Sequence, residues 1–158
     1  MPQVIKSVLV SHSAEDMFDL VDAVEHYSAF LPWCGGARIH SRDNDHTLVT
    51  IDIRYLGVAH SFTTRNEKHR PAEMTLALVD GPFKSLGGAW HFTALTADAC
   101  KVEFQLNYTF ANAIIEGILG PVMSTIAETF VDRFAARADE LALRRSAQFA
   151  GRSPGGSI

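Results

Sequence analysis

The sequence predicts an α+β fold: a seven-stranded, curved antiparallel sheet around a long C-terminal helix, with two short helices after the first strand. Three observations lead there. From Gly36 to Phe110 apolar and polar residues alternate with a period of two, the mark of strands with one wet face, which is an antiparallel trait. From Asn112 to about Ala147 the period becomes helical. A sheet with one apolar face needs a cover, and only that last segment has the apolar length to supply it.

The chain opens with "QVIKSVLVSH", where Val4, Lys6, Val8 and Val10 alternate with Ile5 and Leu9, as in a strand. Ser13 then stands as a helix cap with Asp16 at the capping-box position, and Met17, Phe18, Leu20, Val21 and Val24 follow at helical spacing. This helix should run to about Glu25. A second helical turn should cover His26 to Phe30 and stop before Pro32, since the residue before proline avoids helical angles. The stretch "YSAFLPWCGG", Tyr27 to Gly36, therefore places large apolar side chains at a turn.

Six strands follow. The first lies near Arg38–Ser41. The rest show Val49, Ile51, Ile53 and Tyr55 on one face, then Val58, His60 and Phe62, then Met74, Leu76 and Leu78, then Trp90 and Phe92, then Val102, Leu106, Tyr108 and their neighbours. The breaks at Asp43–His46, Gly57, Arg70–Pro71, Gly81–Pro82 and Thr96–Ala99 are of hairpin length. In the last segment Ile115, Leu119, Val122, Ile126, Phe130, Phe134 and Ala138 form one stripe. Pro121 lies inside it, and its ring clashes with the Gly117 carbonyl, so a bend is expected rather than two helices. Residues 1–147 read as one domain and 148–158, ending in "GRSPGGSI", as a flexible C-terminal tail. Seven strands are wider than one helix, so a cavity should remain between sheet and helix, lined by inward residues.

Composition narrows the function. With 14 basic and 18 acidic residues the net charge is −4, which argues against DNA as a partner. No apolar run reaches the ~18 residues of a membrane span and no signal peptide is evident, so a cytoplasmic location is expected. Cys34 and Cys100 should be unpaired. The seven histidines show no metal-ligand spacing, and no nucleophile, P-loop or dinucleotide motif occurs, so neither a metal nor a catalytic residue is expected. Arg65, Lys68, His69 and Arg70, and the helix arginines 133, 137, 144 and 145, read as solvated charges.

The strings "MFDLVDAVEHYSAFLPWCGGARI", "GPFKSLGGAWHF" and "ILGPVMSTIAETFVDRFAARADEL" resemble the coenzyme Q-binding START-like family, part of a polyketide cyclase/dehydrase-like superfamily. The resemblance covers about Val4 to Leu143. It implies a helix-grip fold with a lipid-sized tunnel and a non-enzymatic lipid carrier supporting respiration, with ubiquinone as bound ligand and no other cofactor. The alternative it implies is a toxin that binds the large ribosomal subunit and blocks subunit association; a cyclase-like enzyme is the third. A carrier would make transient membrane contact and could sit peripherally at the inner membrane.

On that reading the ligand-binding residues are Phe30, Leu31 and Trp33 at a lip, Phe83 at the rim with Lys84, and Tyr55, His60, Phe62, Trp90, Phe92, Leu106 and Tyr108 along the wall. Each has a plainer reading as core packing. His60 falls in the apolar register of its strand, where an imidazole either bonds a neighbour or meets a quinone carbonyl. The inward registers carry almost no carboxylates, which counts against acid–base catalysis.

Overall fold

The computed structural model describes residues 3–152, with side chains through Ser146. Seven strands form one antiparallel sheet: β1 (Gln3–Val10), β2 (Cys34–Arg42), β3 (His46–Tyr55), β4 (Val58–His69), β5 (Glu73–Asp80), β6 (Phe83–Thr96) and β7 (Ala99–Phe110). Their order is β1-β7-β6-β5-β4-β3-β2, a meander from β2 to β7 with β1 returning beside β7. The helix α1 (Ala14–Asp22) and a 3-10 segment (Val24–Ala29) follow β1, and α2 (Ala113–Arg152) closes the chain. This is the helix-grip architecture the sequence predicts.

Local chemistry sets the boundaries. Ser13 Oγ accepts the Asp16 backbone N–H at 3.0 Å, which starts α1 as its cap should. The helix ends at Asp22, not Glu25, because Ala23 leaves helical angles (φ −81°, ψ 61°) and the chain tightens into 3-10 form. β2 begins at Cys34, ahead of the expected Arg38, since Cys34 already pairs with Ile53 across a bulge at Gly36. In the β3–β4 hairpin Leu56 and Gly57 both have positive φ, 51° and 81°, as a two-residue turn that matches strand twist requires.

Asn112 Oδ1 accepts the Ile115 N–H at 2.9 Å and starts α2. The helix is one element through Pro121 and continues to Arg152, past Ala147; the rest of the expected tail lies outside the described residues. Ala113–Ser146 is long and apolar enough to cross a membrane by length and composition, contrary to expectation. Its buried stripe of Leu119, Val122, Met123, Ile126, Val131, Phe134 and Ala138 packs in the core instead.

The backbone of α2 runs mainly along β1, β7 and α1. His12 Nε2, 2.6 Å from Asp139 Oδ1, ties the β1–α1 turn to the helix. The inward faces of β3 to β5 thus lie beyond the main track of α2, and space remains there.

Candidate functional site

An apolar cavity of about 70 Å³ lies between the sheet and α2. The sheet contributes Ile51, Phe62, Thr64, Asn66, Met74, Leu76, Leu86, Trp90, Phe104 and Leu106. The far wall is Met123, Ile126, Ala127 and Phe130 of α2, and Val21, Val24, Tyr27 and Trp33 close the side. A dry cavity of ~150 Å³ is known to admit benzene. At 70 Å³ the space is about half that size. Left empty it costs about 2 kcal/mol, at ~24 cal/mol per Å³. Met74 and Met123 are the flexible walls.

Of the eleven residues expected at the site, Trp33, Phe62, Trp90 and Leu106 line the cavity. The other seven do not, for identifiable reasons. Phe30 stacks edge-on against Tyr27 and Phe134 under the Arg137 guanidinium, which lies 5.4 Å from its ring centre, so it clamps α2 rather than forming a mouth. Leu31 is fully buried in the core. Phe83 is buried, not exposed at a rim, in an aromatic group with Phe62, Tyr108 and Phe110 that also occupies Tyr108. Phe92 packs against Phe18 and Trp90. Tyr55 and His60 are half-buried beside the Leu56–Gly57 turn, so His60 is not the interior imidazole its register suggested.

The structure adds residues that the sequence reading passed over. The inward register of β4 continues past Phe62 through Thr64, Asn66 and Lys68, all buried. Carrying the two-residue period onward would have found them. Lys68 is therefore not a solvated charge: its Nζ lies 3.3 Å from Asp22 Oδ1. Arg137 is likewise largely covered, held by Phe30 and by Glu140 at 2.9 Å, whereas Arg65, His69 and Arg70 are exposed as expected.

The polar groups at the cavity are few. Thr64 Oγ1 donates to Asn66 Oδ1 at 2.8 Å. The Tyr27 hydroxyl donates to the Val21 carbonyl, and burial, with Asp22 adding, pushes its pKa far above the ordinary tyrosine value. The Trp33 indole N–H is buried and has no partner among the described residues. A buried unmade bond of that kind costs ~1–3 kcal/mol. Cys34 and Cys100 are both free, and burial raises each thiol pKa. Among the described residues no cluster of three or more His, Cys, Asp or Glu could hold a metal.

A seven-stranded sheet gripping one long helix around an apolar cavity defines the START-like class of helix-grip domains. Within it, residues 10–135 match the model of the polyketide cyclase / dehydrase and lipid transport family, and the chain belongs to that family. It is 41% identical over 141 residues to the persistence and stress-resistance toxin PasT of Escherichia coli O6:H1 and 40% identical to the ribosome association toxin RatA of Escherichia coli K12; each alignment covers 89% of both chains. The mitochondrial coenzyme Q-binding protein COQ10 homolog B of Xenopus laevis is 20% identical over 86% of this chain and 57% of its own length. A START superfamily protein from Mycobacterium smegmatis superposes with a TM-score of 0.74 at 19% identity, covering 88% of this chain and 98% of that one. The Zhui aromatase/cyclase of Streptomyces shares the fold at a TM-score of 0.65 and 19% identity, over 99% of each chain.

Proposed function

We propose that this protein is a non-enzymatic binding protein that takes an apolar ligand, a polyprenyl quinone, into the sheet–helix cavity. The observation that carries the reading is the lining. Among the described residues it contains no carboxylate, histidine, lysine or cysteine, and its one ionisable group, Tyr27, has its hydroxyl engaged and its ionisation suppressed by burial. General acid–base chemistry needs a titratable group within hydrogen-bond reach of the substrate. Shielding a lipid from water needs only apolar wall, at about 0.8 kcal/mol gross per buried CH₂.

Trp33 and Trp90 are the chain's two tryptophans, and both line the cavity. A short-chain ubiquinone should quench their fluorescence saturably. Ala127→Leu, which fills the cavity from α2, should remove the quenching while urea unfolding stays cooperative. No saturable quenching in the wild type, or equal quenching in the filled variant, would overturn the reading.

A second reading, association with the ribosome, is favoured by the 40% identity to RatA across 89% of the chain. A contiguous basic surface is the feature expected of it. Several basic groups are instead neutralised: Arg38 by Asp52, Arg42 by Glu25, Arg70 by Asp19. Sucrose-gradient profiles of ribosomal subunits with the wild-type and Ala127→Leu proteins separate the two readings. Subunit dissociation that survives cavity filling supports the ribosomal reading independently of any ligand.

A further inference from the structure

We infer that the cavity selects a neutral ligand carrying acceptor oxygens, and that the Trp33 indole N–H and the Asn66 carboxamide N–H₂ are the donors that read it. This rests on the ligand-binding reading above. Trp33 is 4% exposed and lines the cavity, yet its indole N–H is shielded from water and meets no acceptor among the described residues. Phenylalanine would fill apolar space there without leaving a donor unpaired. The natural occupant of that donor is therefore an acceptor that arrives when a ligand widens the cavity.

Asn66 supplies the second donor. It is also 4% exposed and lines the same cavity. Thr64 Oγ1 donates to its Oδ1, which fixes the carboxamide and leaves the N–H₂ end as the group on offer. Charge is excluded from the site. Lys68, the next inward residue of β4, is paired with Asp22 at 3.3 Å, and among the described residues the cavity lining holds no lysine or arginine to meet a carboxylate head. The Tyr27 hydroxyl proton is committed to Val21. Two neutral donors in an apolar wall match a ketone, quinone or ester oxygen. They do not match an alkane, which leaves both unpaired, nor an ionised fatty acid, which needs a counter-charge.

Three probes with the same ten-carbon tail test this by isothermal titration calorimetry: a decyl-substituted benzoquinone, decylbenzene and undecanoate. The wild-type protein should bind the quinone at least about tenfold more tightly than either of the others, the scale of one lost hydrogen bond. Trp33→Phe and Asn66→Leu should each weaken the quinone about tenfold and leave decylbenzene unchanged. The bound quinone carbonyl stretch should shift to lower frequency in the wild type and move back in Trp33→Phe, a readout independent of packing losses. Equal affinity for quinone and decylbenzene, or equal losses for both probes in the variants, overturns the donor assignment and leaves the cavity reading standing. Failure of all three probes to bind overturns the cavity reading and this inference together.

Discussion

Lys68 on β4 and Asp22 at the end of α1 form an ion pair whose two members differ in their access to water. Nζ lies 3.3 Å from Oδ1, with the lysine side chain 4% exposed and the aspartate 26%. The pair pins the end of α1 to the inward face of the sheet beside the cavity. Breaking it from the two sides should not be equivalent. Asp22→Asn leaves a buried ammonium without compensation and should cost about 3 kcal/mol. Lys68→Met leaves a carboxylate that water can reach and replaces the stem with apolar volume, so its cost should stay within about 1 kcal/mol. Urea unfolding of the two variants checks this, and equal losses would contradict the asymmetry.

Gly88 sits on the inward face of β6, between Leu76 of β5 and Leu106 of β7. A Cβ there would stand 2.4 Å from the Gln105 carbonyl oxygen, a backbone atom that cannot turn aside. Gly88→Ala should therefore spread β6 from β7 and cost about 1–3 kcal/mol. Gly87→Ala is the control, because its nearest neighbour would be the Leu76 carbonyl at an ordinary 3.5 Å. A Gly88→Ala protein as stable as the Gly87→Ala one would show that the strands yield there at little cost.

The fold was legible because its signals are periodic and local. Alternation of Val102, Phe104, Leu106, Tyr108 and Phe110 needs no knowledge of partners, and neither does the Ser13 cap. The site was legible only in part. An inward residue can face the cavity or another side chain, and periodicity does not distinguish these. Phe92 and Tyr108 share a register face with Trp90 and Leu106, but aromatic neighbours fill the space before them. Lys68 was hidden differently: its class says surface, its register says interior, and only the placement of Asp22 across the chain decides for the interior. Trp33 lies outside any strand, so no period could place its ring.

Beyond the helix's own nearby backbone, Gly117 and Gly120 in α2 have no atom within 4 Å of where a Cβ would be. Alanine fits both without a clash and restricts the unfolded chain. Each single substitution should raise stability by about 0.5–1 kcal/mol, read as a higher urea midpoint at an unchanged slope. Pro121, whose ring abuts the turn carrying Gly117, gives that stretch its one missing backbone N–H. If alanine at 117 or 120 lowers stability, the glycines are instead holding a backbone shape that proline imposes.

Acid should weaken the fold through Glu25. Arg42 on β2 donates to both its carboxylate oxygens, at 2.7 and 3.0 Å, and to the Asp22 carbonyl at 2.9 Å, holding the 3-10 segment that carries Tyr27 against the sheet. The Arg42 hydrogen bonds bring the Glu25 pKa down from 4.5 to about 2. A carboxyl group whose pKa is depressed on folding contributes stability that is whole above its ordinary value and lost as pH falls through the folded one. The window is therefore pH 4.5 down to about 2. Both side chains are about a third exposed or more, 32% and 40%, so screening keeps the contribution below about 1 kcal/mol. Asp43 and Asp52, whose pKa values are also lowered by hydrogen bonds, act in the same direction, and comparison with Glu25→Gln subtracts them. The urea midpoint of the wild type should exceed that of Glu25→Gln by a constant amount above about pH 5, and the gap should close as pH approaches 2. A gap that persists undiminished to the acid end would place the effect in packing rather than in the charge on Glu25.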